Sequence, residues 1–224
     1  MLTIYHGSSE VIQKPEFGKG KMTNDYGCGF YCTENLELAK EWASKSSDKQ
    51  GIVNEYRINT SEMAILDLTD SKYSILNWLA ILLENRTFAL TAPISIEAKR
   101  YILENFSIDT SKYDIIKGYR ADDSYFSFAE DFLNNTISVQ QLLKAMKLGG
   151  LGIQFVIISK KAFSSLQFIG SEFVDEKYFN SLLNRDLKAR NEYKNMKVDF
   201  SIDSNEMYVR DIIKEKIVDG DSRL

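Results

Sequence analysis

The run IQFVIIS at residues 153–159 is apolar at nearly every position. A strand that is apolar on both faces must be covered on both faces, so this one belongs in the middle of a sheet. Three glycines, Gly149, Gly150 and Gly152, end the helical pattern VQQLLKAMKLG before it. Gln154 is its polar exception. A buried amide must find partners or cost stability. Gln154 is therefore either an ordinary hydrogen-bonded strand residue or a group held for a ligand beside the open space at Gly152.

Other segments supply neighbours for that strand. LTIYH (2–6), residues 29–32, IVNEYRIN (52–59), residues 64–69 and YDIIKGY (113–119) read as strands, and KKAFSSLQFIG as a turn leading into an edge strand. Thr33 reads as the N-cap of a helix carrying Leu36, Ala39, Trp42 and Ala43, with Glu34 and Glu37 in its first turn. SILNWLAILLENR and IEAKRYILENF are helical, broken at TAPIS; ADDSYFSFAEDFLNN is a loop entering a helix, and KYFNSLLNRDLKARNEY is a further helix. Strands and helices do not alternate as clean βαβ units, so the class is mixed α+β. Two units are expected: residues 1–170, and a charged extension over 171–224 packed on them as a helical layer.

The net charge of −4 gives no global basic field for nucleic acid, although a local patch stays open. Two cysteines four apart, Cys28 and Cys32, with a single histidine support zinc poorly and fit a reducing compartment. MLTIYHGSSE has no basic start or apolar run, which speaks against a signal peptide, and no apolar stretch reaches membrane-span length. The expected location is cytoplasmic. Neither GKG at 18–20 nor GCGFYC has the spacing of a dinucleotide or Walker loop.

His6, before Gly7 and Ser8, is either a core histidine or, with the Ser8 hydroxyl, a pair suited to ribose hydroxyls. Tyr31, after the glycines of GCGFY, is either a core aromatic or a flat stacking surface. Asp122 and Asp123 at a strand end are catalytic acids or helix caps.

Taken in order, YHGS, GCGFYCTENLELAKEWA, NWLAILLENR, YDIIKGYRADD and GIQFVIIS resemble a bacterial family of ADP-ribosyltransferase-like proteins known as domain of unknown function 3990. That family is similar to the poly-ADP-ribose polymerase and diphtheria-toxin branch of ADP-ribosyltransferases. The resemblance spans roughly residues 2–170. It implies an α+β fold with split mixed sheets around an NAD cleft, inserted helices and a helical C-terminal extension.

It also implies roles. His6 bonds the adenosine ribose, the Gly7 backbone meets the nicotinamide amide, and Ser8 stands at the Ser/Thr place. Gly27, Gly29, Phe30 and Tyr31 match the motif whose tyrosine stacks on nicotinamide. Gln154 falls where the superfamily usually has a glutamate, so it can hydrogen-bond ribose without adding negative charge. Asp122 or Asp123 would then supply the acid. Lys14, Lys19 and Lys21 would cover the pyrophosphate.

The activity so implied is mono-ADP-ribosyl transfer from NAD to a protein or nucleic-acid acceptor, by a toxin with a small antitoxin partner. An NAD glycohydrolase on the same fold, or a degenerate nucleotide- or partner-binding protein, are the competing readings.

Overall fold

The computed structural model describes residues 1–44, 50–121, 123–150, 152–198 and 206–224. Two sheets carry the fold. β1 (Leu2–Ser8), β3 (Ile52–Ile58) and β7 (Gln167–Phe173) form an antiparallel sheet in the order β1–β3–β7. β2 (Phe30–Cys32), β4 (Ile65–Asp67), β5 (Ile115–Tyr119) and β6 (Ile153–Ile157) form the other, in the order β2–β6–β5–β4. β4 and β5 run parallel and the remaining pairs antiparallel, so this sheet is mixed. The apolar strand β6 is internal, as its composition demands, and β7 is an edge.

Side chains alternate across β6. Phe155 and Ile157 enter a core shared with Ile4 of β1, Phe30 of β2 and Tyr56 of β3. Val156 points to the opposite face, into a larger core built on helices. At the centre of that core is α2 (Ile75–Asn85), whose residues Ile75 to Leu83 are all buried. A helix apolar all round requires cover on every side. Among its neighbours, α3 (Pro93–Phe106) and α5 (Val139–Ala145) pack against it, and α4 (Asp123–Leu133) packs on both of these.

The first helix, α1 (Leu36–Ala43), starts later than its sequence suggests. Asn35 is the N-cap, its side chain accepting the Leu38 N–H at 3.2 Å. Thr33 cannot take that place because its backbone is paired with Tyr5, at 2.9 Å and 2.8 Å. Its hydroxyl instead accepts the Asn35 N–H.

α6 (Lys160–Ser164) links β6 to β7, and β7 runs across residue 170 to Phe173. The chain ends in α7 (Lys177–Val198) and α8 (Val209–Glu215). Arg185 of α7 grips the buried Glu41 of α1 with two hydrogen bonds of 2.8 Å. The Tyr193 hydroxyl donates to Asp131 at 2.6 Å, and its ring stacks on Phe128 with centroids 3.8 Å apart. Further on, Asp219 accepts from the buried Asn77 amide of α2 at 3.0 Å. Among the described residues, no helix is long and apolar enough to cross a membrane.

Candidate functional site

The site begins where β1 and β2 part. Tyr5 and Thr33 exchange backbone hydrogen bonds, but one step further a side chain takes over: His6 Nδ1 lies 2.7 Å from the Tyr31 carbonyl oxygen. A carbonyl only accepts, so Nδ1 carries the hydrogen, and a neutral ring in that tautomer has Nε2 as its acceptor. The ring stacks on Phe30, centroids 4.3 Å apart. With the strand pairing interrupted, a cleft of about 990 Å³ opens beside His6, Phe30 and Tyr31, in the upper range for ligand sites.

Two glycines make this geometry possible by lacking a Cβ. At Gly7 a Cβ would sit 2.3 Å from the Ala39 carbonyl oxygen of α1, so the helix lies directly on β1. At Gly29 it would sit 2.6 Å from Val156 Cγ1, so the loop before β2 presses on β6. Gly29 of GCGFY, like Gly7, thus answers first to close packing.

Tyr31 lies opposite Val156 in the β2–β6 register, on the same face as Gln154. Its hydroxyl turns back onto its own loop, donating to the Gly27 carbonyl at 2.7 Å and accepting the Tyr26 N–H at 3.0 Å. Tyr31→Phe therefore leaves two backbone groups of buried residues without this partner. We expect a loss of about 1–3 kcal/mol, read from urea unfolding, from that hydroxyl alone. A phenylalanine variant as stable as the parent chain would refute this.

Gln154 is 6% exposed and lines the cleft. Its Nε2 donates to Asp25 Oδ2 at 3.3 Å, while Oε1 has no hydrogen-bond partner among the described residues. Asp25, itself 5% exposed, also accepts the Ala121 N–H at 2.9 Å and Arg86 Nη1 at 3.0 Å. Sequence reasoning passed over Asp25, Arg86 and Arg120, all of which line the cleft. The Arg120 guanidinium lies 4.8 Å from the ring centre of Trp42, another lining residue.

Burial pushes the Asp25 carboxyl above its usual 3.8, against the pull of the Ala121 amide, Arg86, Arg120 and Gln154. A carboxyl with a raised folded pKa binds its proton more tightly in the fold. Its stabilising contribution is full below the unfolded value near 3.8 and is lost as pH rises through the raised folded value. The stability of the parent chain relative to Asp25→Asn should thus fall across that window, as followed by urea midpoints at successive pH. A difference that grows with pH would contradict it.

The remaining sequence candidates distribute as follows. Gly7, Gly29, Lys14 and Lys19 line the cleft; Ser8 and Lys21 do not. The Ser8 hydroxyl instead donates to the Glu10 carbonyl at 2.6 Å and accepts from Asn54 Nδ2 at 3.0 Å. Asn54, fully buried opposite His6 on β3, also takes the Ile12 N–H at 2.8 Å and so pins the loop that walls the cleft. A polar residue amid IVNEYRI was the available sign of this. Asp122 lies outside the described residues, as does the side chain of Asp123, the first residue of α4.

α7 adds Leu182, Leu183, Asp186 and Arg190 to the lining. Among the described residues, no group of three or more His, Cys, Asp or Glu side chains gathers to hold a metal.

The fold and site define a mixed-sheet α+β protein with a polar cleft at the parting of its two sheets. Residues 2–168 match the model of a family described as Protein of unknown function (DUF3990), and the chain belongs to that family. No curated protein and no solved structure matches it significantly.

Proposed function

We propose that the protein is a mono-ADP-ribosyltransferase that takes ADP-ribose from NAD and releases nicotinamide. One observation carries the reading: His6, Tyr31 and Gln154, distant in sequence, line a single cleft large enough for a dinucleotide. The roles come from the resemblance to ADP-ribosyltransferases, and the chemistry of these side chains suits them.

The Tyr31 ring, fixed through its hydroxyl, offers a face to nicotinamide beside the Gly7 backbone. His6 offers an imidazole acceptor to a ribose hydroxyl, and Gln154 offers an amide oxygen to the other ribose. Lys14 and Lys19, with Arg86 and Arg120, put positive charge where a pyrophosphate needs it. The bond between C1′ and the nicotinamide nitrogen breaks, and its electron pair leaves with nicotinamide. The acceptor nucleophile then attacks the cationic C1′ and gives up its proton. Toxin action and a small antitoxin partner belong to the same reading and rest on the resemblance alone.

Incubation with NAD labelled in its adenylate half, beside a cell extract, tests the proposal. Nicotinamide release with label on a macromolecule is expected. Free ADP-ribose alone would make the protein a glycohydrolase, and no release would remove the enzymatic reading.

A further inference from the structure

The site holds a carboxylate in an unexpected place. Asp25 comes from the long loop between β1 and β2, yet it is buried against β6 and bonded to Gln154. Its carboxylate receives three donors: the Ala121 N–H, the Arg86 guanidinium and the Gln154 amide. As an ionised carboxylate paired with Arg86, Asp25 can only accept, and that fixes the direction of the third bond. The Gln154 NH₂ must face Asp25, and Oε1 must then point away from it.

Oε1 is a buried atom left without a partner among the described residues, on a residue that lines the cleft. A buried oxygen that can only accept calls for a donor, and within this reading the donor is a hydroxyl.

We infer that Asp25 and Gln154 act as one unit, in which Asp25 orients the amide so that Oε1 accepts a hydroxyl of the nicotinamide-bearing ribose, and supplies the negative charge that glutamine lacks. This rests on the proposed function and deepens it. A carboxylate bonded to the amide N–H draws electron density toward Oε1. The hydrogen bond at Oε1 tightens as positive charge grows on the sugar, so the pair stabilises the transition state more than the bound substrate. Gln154 is the catalytic residue, Asp25 its positioning residue. The charge is thereby assigned to Asp25.

The register keeps the arrangement compact. Gly118 lies opposite Gln154 on β5, and the Tyr26 hydroxyl occupies the space its side chain would need. Tyr26 directly follows Asp25 and donates to the Tyr119 carbonyl at 2.6 Å, fastening the loop beneath the pair.

The experiment measures nicotinamide release and the KM for NAD with the full chain. Asp25→Asn should lower kcat by about 10²–10³ with KM changed by only a few fold, the loss typical of one preorganised electrostatic group. Gln154→Glu alone sets two carboxylates side by side, so one is driven to keep its proton and activity should become steeply pH-dependent. The double variant Asp25→Asn/Gln154→Glu moves the single charge one residue toward the sugar. It should recover at least about tenfold over Asp25→Asn, because it restores the same charge-backed acceptor.

A double variant no better than Asp25→Asn, with both chains folded, overturns the pair. Wild-type kcat in Asp25→Asn overturns it too. Should Asp25→Asn not fold, Gln154→Glu decides: a kcat that becomes steeply pH-dependent upholds the pair, and a pH profile unchanged from the parent refutes it. A wild-type chain that releases no nicotinamide removes the functional reading and the pair together. One that releases it regardless of both residues removes the pair alone.

Discussion

Removal of residues 174–224 is expected to abolish cooperative unfolding and leave an aggregation-prone chain. Tyr193, Val209, Ile212 and Ile217 are all buried in the large core around α2. At roughly 1.5–3 kcal/mol for each such side chain, their loss removes about 6–12 kcal/mol. That rivals the whole stability of a typical domain, about 5–15 kcal/mol. A milder form of the test is Arg185→Ala. It strands the Glu41 carboxylate, 4% exposed, without its two-pronged partner, and breaking a buried pair in this way costs about 3–5 kcal/mol. Arg185 is itself partly exposed, so the lower end applies. Thermal and urea unfolding measure both. A truncated chain that unfolds sharply near the parent midpoint would show that α7 and α8 are accessories.

His6→Ala is expected to weaken NAD binding by about tenfold to a hundredfold, the range of one or two lost hydrogen bonds to a polar ligand. The melting temperature should fall as well, because the Nδ1 bond to Tyr31 is a strut between the two sheets. The two effects separate in His6→Asn, whose shorter amide donates to a nearby carbonyl yet reaches less far into the cleft. Calorimetric titration with NAD, beside thermal unfolding of both variants, gives the answer. Undiminished NAD affinity in a destabilised His6→Ala chain would make His6 a structural residue only.

What could be read from the residues was set by how local the deciding forces are. β6 was legible because an apolar run of that length has few places to go, and Gln154 stood out against it. The start of α1 was misread because Thr33 and Asn35 are both good caps. The choice between them is made by Tyr5, nearly thirty positions away along the chain. Asp25 was invisible for the same reason. In TNDYG it looks like a solvated loop acid, and it becomes buried only once Arg86, Ala121 and Gln154 have been brought to it. Ser8 was legible as a polar neighbour of His6. Its engagement with Asn54 required the β1–β3 register. Helix α2 announced itself through continuous apolar sequence, whereas the part of α7 that lines the cleft mixes Leu182 and Leu183 with Asp186 and Arg190 and shows no single apolar face.

The side chains that line the cleft are drawn from His6 of β1 to Arg190 of α7 along the chain. Between them the chain travels through both sheets and nearly every helix. Contacts of such long range form late, because loop closure must precede them. No contiguous fragment short of almost the full described chain contains the whole site. A chain still being made, or one cut by a protease between its sheets, holds only part of the cleft. Any ligand that needs the whole lining therefore needs the finished fold.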